Sequence, residues 1–173
     1  MRKLIDRLDL DGHFRRKEIR QYLLQCTLAG VFVLIVLLVL DTVTQTVLIA
    51  ALGASTFIAF AVPRSLHSDP RHMIGGYLVG IAVGCLIGTI NLALDFDQVF
   101  GAHAVTILSG AFATALAMFI MVVTKTEHPP AAALALGLVL NEWNLLTILV
   151  ILAGIVSLSI FKRLILPVLM DLI

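Results

Sequence analysis

Residues 124–137 read TKTEHPPAAALALG, a polar turn carrying Lys125, Glu127, His128 and two prolines directly before a short alanine–leucine run. Whether that run crosses a membrane decides how many times the chain crosses, and therefore where its two ends lie. Proline lacks an N–H and suits the first helical turn, so Pro129 and Pro130 mark a helix start. His128, preceding a proline, is held to an extended backbone. A helix from Pro129 to Leu140 covers about 18 Å, against a hydrocarbon core of about 30 Å.

The surrounding chain is apolar. Its 173 residues are 60% hydrophobic and 13% charged, with a mean hydropathy of +1.06. A soluble domain of this size needs a far more polar surface. The run LLQCTLAGVFVLIVLLVL at 23–40 has no charge and is long enough to span a bilayer. Five spans follow from such runs, at 22–40, 46–62, 73–94, 101–123 and 145–166, with 131–140 as a short sixth. The expected fold is an all-α polytopic membrane bundle. The second span is compact and carries GAST at 53–56, so it and the 131–140 segment are both read as broken or half-membrane helices.

The cations order these spans. Arg2, Lys3, Arg7, Arg15, Arg16, Lys17 and Arg20 precede the first. Arg64 and Arg71 lie between the second and third, Lys125 before the short segment, and Lys162 and Arg163 at the end of the last. The connections DTVTQT, DFDQVF and NEWN carry none. If the short segment crosses, all twelve cations face the cytoplasm, with six crossings and both termini inside. The expected location is the cytoplasmic (inner) membrane of a prokaryote. Residues 1–21 form a basic cytoplasmic segment near anionic headgroups, and 22–173 form the membrane domain. These charges abut a span, which argues against a nucleic-acid partner, and their mixture with Asp and Glu is unlike a cleavable signal. Cys26 and Cys85 lie within apolar spans and read as inert buried thiols.

Displacing the chain by 82 positions lays TVTQTVLIAALG (42–53) on TKTEHPPAAALA (124–135) without a gap. Thr42 meets Thr124, Thr44 meets Thr126 and Gln45 meets Glu127. Each half, 22–94 and 101–166, then reads long helix, short helix, long helix. Three crossings per half make the halves inverted in the membrane, a plan in which interrupted helices mark the substrate site.

On this reading Thr126 and His128 cap free N–H groups at the start of the 129–140 helix, a natural anion site with the positive end of the helix dipole. The plain alternative is that His-Pro-Pro starts a helix and His128 faces water. Ser55 and Thr56 lie at mid-membrane depth, either bonded back to their own helix or lining a path beside Gly53, read as a helix break. Thr44 begins the first short helix from the outer side. Lys125 and Glu127 read as a solvated loop pair. Gly76, Gly80, Gly84 and Gly88 form a stripe with Gly75 beside it, read as close helix packing within the bundle or between subunits. Trp143 reads as an outer interfacial anchor. His67, Asp69, Arg71 and His72 crowd RSLHSDPRH (64–72) with no specific metal spacing. Phosphate-loop, dinucleotide and nucleophile-elbow patterns are absent from the sequence, so no enzyme and no cofactor are expected.

GAST (53–56), Pro63, DPRHMIGG (69–76) and TEHPPAA (126–132) together resemble the HPP family of small integral membrane proteins. Members in plants and cyanobacteria are associated with nitrite transport, so the resemblance implies a permease for a small anion. The positions matching its motifs are Gly53, Ser55, Thr56, Arg71, Gly75, Gly76, His128, Pro129 and Pro130. Tyr77 stands where many relatives carry histidine, and Glu127 separates Thr126 from His128. The expected function is a permease or channel for a small monovalent anion, nitrite first, bound between the N-termini of two short helices. Thr44, Thr126, Ser55 and His128 would replace its water shell, and Arg71 would gather anions at the mouth. His128 could also carry a proton. The rivals are a membrane scaffold or regulator, and a channel for a cation or small neutral solute. The expected partners are the lipid bilayer, the anion and further copies of the chain as a homo-oligomer.

Overall fold

The computed structural model describes residues 19–40, 46–94 and 101–172. These residues form six α-helices, α1 Ile19–Leu40, α2 Thr46–Ala61, α3 Pro70–Leu94, α4 Ala102–Thr124, α5 Pro129–Leu140 and α6 Leu145–Ile165, with a 3₁₀ turn at Leu66–Ser68. The helix starts and stops have local causes. Pro70 opens α3, and Pro129 and Pro130 open α5, where a missing N–H costs nothing. Lys125 closes α4 in the left-handed region (φ 54°), its N–H bonded to the Met121 and Val122 carbonyls. Asn144 caps α6, its side-chain oxygen accepting the Thr147 N–H at 2.9 Å and the Thr147 hydroxyl at 3.1 Å.

Successive helices run in opposite directions. One face of the bundle gathers the starts of α1, α3 and α5 and the ends of α2, α4 and α6. Hydrogen bonds fix this arrangement: Leu172 N–H to the Ala61 carbonyl at 2.8 Å, Gln25 to Met170, and Arg71 to the Thr124 carbonyl at 3.2 Å. At the opposite face the Ser109 hydroxyl meets Asn91 at 3.1 Å, and the half-buried Trp143 lies beside Gly88. Every lysine and arginine among the described residues (Arg20, Arg64, Arg71, Lys125, Lys162 and Arg163) lies at the first face.

Helices α3, α4 and α6 are long and apolar enough to cross a membrane. By contrast α2 has 16 residues and α5 has 12, or about 24 and 18 Å of helical rise. The expected break at Gly53 does not occur. α2 is continuous through that residue, because the helix ladder is intact and no neighbour presses on it within 4 Å. The helix is short, and not broken.

α5 is the centre of the bundle, packed by α2, α3 and α4. Its Ala131, Leu134, Ala135 and Leu138 are buried. The glycine stripe of α3 makes that fit. A Cβ on Gly84 would sit 2.8 Å from Leu138 Cβ and 2.9 Å from the Ala135 carbonyl oxygen, and one on Gly80 would strike the Ala131 carbonyl. Gly76 faces His128 Cβ at 2.7 Å, and Gly75 faces Thr126 Cγ2 at 2.7 Å. The stripe therefore serves packing within one chain. On the other side Gly154 of α6 receives Leu52 of α2, at 3.0 Å from a built Cβ.

The main helix contacts have a symmetry of their own. Exchanging α1, α2 and α3 with α4, α5 and α6 turns α1–α2 into α4–α5, α3–α5 into α6–α2, and α3–α4 into α6–α1; α2–α5 and α3–α6 map onto themselves. All of these pairs are in contact.

After α6 the chain folds back across the first face. Gln25, with no exposed surface, donates to the carbonyls of Phe60 and Met170 and accepts the Met170 N–H at 3.1 Å. Gln21 donates to the Val168 carbonyl, and the Arg64 N–H reaches Asp171 at 3.1 Å. Cys26 lies exposed on the outer surface of α1, where lipid would meet it, and so is not the buried thiol expected; Cys85 is half-buried.

Candidate functional site

Three of the polar side chains that the apolar interior encloses converge on one point. Ser55, midway along α2, is fully buried, as are Tyr77 of α3 and His128 in the turn before α5. Ser55 Oγ lies 2.9 Å from the Tyr77 hydroxyl and 2.8 Å from His128 Nε2. It also lies 3.0 Å from the Ala51 carbonyl of its own helix. The rings of Tyr77 and His128 are 5.7 Å apart. Two helices and the turn before a third thus bring hydroxyl and imidazole groups together where a polar atom can be buried only if paired.

The roof of this cluster is the turn at 62–69. His128 Nδ1 donates to the His67 carbonyl at 2.9 Å, and the His67 Nδ1–H donates in return to the Glu127 carbonyl at 2.9 Å. The Glu127 carboxylate meets His72 Nε2 at 3.4 Å. Lys162 of α6, only 3% exposed, donates to the Ser68 carbonyl at 2.9 Å, and the Ser68 hydroxyl donates to the Pro63 carbonyl at 3.1 Å. Two polar atoms stay buried without a partner there, Ser65 Oγ and His72 Nδ1. His128 lies outside the helices. Burial holds its imidazole neutral to lower pH than a free histidine; the His67 carbonyl offsets this in part, and the neighbouring His67 and His72 add to it. No group of three or more His, Cys, Asp or Glu arranged to hold a metal occurs among the described residues.

The expected site residues separate into three sets. Ser55 and His128 are brought together. Thr56 is buried but bonds back to the Leu52 carbonyl at 2.8 Å, and Gly53 is a half-buried helix position. Arg71 is exposed at the cation-bearing face on the Thr124 carbonyl, and Pro129 is exposed while Pro130 is buried. Thr44 lies outside the described residues. Neither Thr126 nor His128 caps α5 as expected: Thr126 bonds the Thr124 hydroxyl at 2.8 Å, and His128 turns its ring away from the helix N–H groups. Pro129 and Pro130 offer no N–H, and the Ala131 N–H is taken by the His128 carbonyl at 2.8 Å. The start of α5 meets the middle of α2, nine residues or about 13 Å of helical rise from Thr46, so the two N-termini do not face each other. Glu127 pairs with His72 and not with Lys125.

No site role is assigned to Tyr77, Gln25 or Lys162 from the sequence. Tyr77 had a signal: it is the one hydroxyl between Met73 and Gly88, beside the close-packing Gly76. Gln25 is the lone amide in its span, and Lys162 had no signal beyond its place in a basic pair.

The family model described as "HPP, transmembrane region" matches residues 15–167. Two proteins of Dictyostelium discoideum, each described as a transmembrane protein, are also similar. One is 33% identical over 94 residues, 54% of this chain and 28% of its own length. The other is 34% identical over 90 residues, 52% of this chain and 29% of its own. The matched part of the chain spans less than a third of each relative. No solved structure matches. The chain belongs to the HPP family of integral membrane proteins.

Proposed function

We propose that this HPP-family protein is a permease for a small monovalent anion, nitrite first, and that Ser55, Tyr77 and His128 form its recognition site. The observation that carries this reading is a cluster of three fully buried polar side chains where two short helices meet inside a membrane bundle. Polar residues at such depth are costly and mark solute paths. Two hydroxyls and an imidazole are the donors that would replace the water shell of a small anion. Arg71, exposed at the cation-bearing face, raises the local anion concentration at the mouth.

The face that gathers the cations is cytoplasmic by the positive-inside rule, with both chain ends on it. The halves form an inverted repeat. Its support is the exchange symmetry of the helix contacts, together with the offset of 82 residues that lays α1 (19–40) on 101–122, against α4 at 102–124. The same offset places His128 on Thr46 and Ser55 on Gly137, so the symmetry-related position does not repeat the serine–histidine pair. The glycine stripe is covered inside one chain, so a homo-oligomer would use another face.

The test is nitrite uptake into proteoliposomes. The expected result is uptake above protein-free vesicles, reduced at least tenfold by Ser55→Ala. Absence of uptake for nitrite, formate and nitrate alike would overturn the reading.

A further inference from the structure

The hydrogen bonds around Ser55 and His128 outnumber the protons that neutral side chains can supply. Four contacts meet there: Ser55 with the Ala51 carbonyl, with Tyr77 and with His128, and His128 with the His67 carbonyl. The neutral cluster has three protons for them, one each on Ser55, Tyr77 and the imidazole. The His67 carbonyl can only accept, so the single imidazole proton belongs on Nδ1. Ser55 must then point its proton at His128 Nε2, leaving the Ala51 contact unmade. Tyr77 donates to Ser55 Oγ in either case.

One more proton completes the set. With Nε2 protonated, the imidazolium donates to Ser55 Oγ and the serine proton turns to the Ala51 carbonyl. That carbonyl already accepts a helical N–H, so it can be left or taken without cost to the helix. Ser55 thus has two built positions for its proton, and protonation of His128 selects between them.

A buried imidazolium needs a negative partner. The groups facing His128 supply none that is free. The neighbouring Glu127 carboxylate is engaged by His72, and His67 and His72 repel a proton. From α3 comes the neutral Tyr77, and α2 carries no ionisable side chain. Arg71 and Lys162 are cations, held on the Thr124 and Ser68 carbonyls. The missing charge is the one an entering anion brings.

We infer that the site takes up its anion together with one proton, held on His128 Nε2, so that transport is electroneutral proton–anion symport. This rests on the permease reading. Without anion, burial keeps His128 neutral; with anion, the imidazolium balances the charge that enters. One proton and one monovalent anion cross together, and no covalent bond of the substrate changes.

The test uses the full-length protein in vesicles with a lumenal pH dye, and valinomycin with potassium to set the membrane potential; protein-free vesicles correct for nitrous acid crossing the lipid. The expected result is one proton entering per nitrite, at a rate independent of the potential. His128→Gln, which bonds but does not titrate, is expected to lose the coupled proton flux at least tenfold. Tyr77→Phe removes only a donor and should slow uptake while keeping the ratio at one, which covers the case that His128→Gln fails to fold. Nitrite uptake that follows the potential without acidification overturns symport and leaves the permease reading standing. Protein-dependent proton flux without nitrite also overturns it, because His128 would then need no anion. Absence of nitrite uptake removes both.

Discussion

Gln25 is held on three sides, by the Phe60 carbonyl and by both the carbonyl and the N–H of Met170. Its amide offers a donor and an acceptor side by side, which is what an extended backbone requires of a partner. Gln25→Leu leaves the Met170 N–H and carbonyl without their partner, and each orphaned buried group costs about 1–3 kcal/mol. The expected outcome is a lower thermal midpoint in detergent and faster protease release of the segment after Ile165, with no change in the helices themselves. Ser55→Ala is the contrasting case, since it removes the atom on which Tyr77 and His128 both depend. The sequence shows why these residues are hard to find. Ser55 and His128 stand at motif positions and could be picked out one by one. Their meeting joins residues 73 apart, and the Tyr77 partner lies 22 from Ser55, separations that no local pattern encodes. Lys162 illustrates the opposite failure: a lysine at a helix end reads as solvated, yet this one turns inward to a carbonyl.

Between one helix and the next, the glycines divide by what lies against them. Gly80 of α3 has the Ala131 carbonyl within the space of a methyl group, and Gly84 is similarly closed by Leu138 and Ala135. Gly53 of α2 has nothing within 4 Å. Gly80→Ala therefore forces backbone apart, with a cost of about 1–3 kcal/mol or more from overpacking. Gly53→Ala meets open space and gains up to about 1 kcal/mol of helix propensity. Thermal unfolding of the two variants in the same detergent should shift in opposite directions; a common direction would mean that α5 does not pack on α3 as described. Helix starts were legible because prolines and the polar turns around them act locally. The supposed break at Gly53 was not, since a glycine in an apolar helix looks alike whether it yields to a kink or fills an ordinary position. Capping by Thr126 and His128 failed for a related reason: proline marks a helix start but removes the very N–H groups that a cap would bind.

For the whole molecule, the decisive element remains α5. At about 18 Å it is too short to cross a bilayer unaided, yet it runs from His128, under the roof at the cation-bearing face, to the turn beside Trp143 and Gly88 at the other. The polar turn before it and the Asn141–Asn144 turn after it supply the remaining depth, while α2, α3 and α4 pack around α5 itself. This predicts opposite accessibility for its two flanks. In a background with Cys26 and Cys85 replaced by serine, a cysteine at Glu142 should react with a membrane-impermeant maleimide added outside intact cells. A cysteine at Lys125 should react only after permeabilisation. Both positions are at least partly open to solvent in the bundle, so failure to label would not come from burial. Labelling of both from one side would make α5 re-entrant, place Lys162 and Arg163 outside, and break the exchange of halves that the helix contacts obey. Labelling from opposite sides requires that α5 cross, and sets the buried Ser55–Tyr77–His128 cluster where it meets α2, a helix of opposite direction.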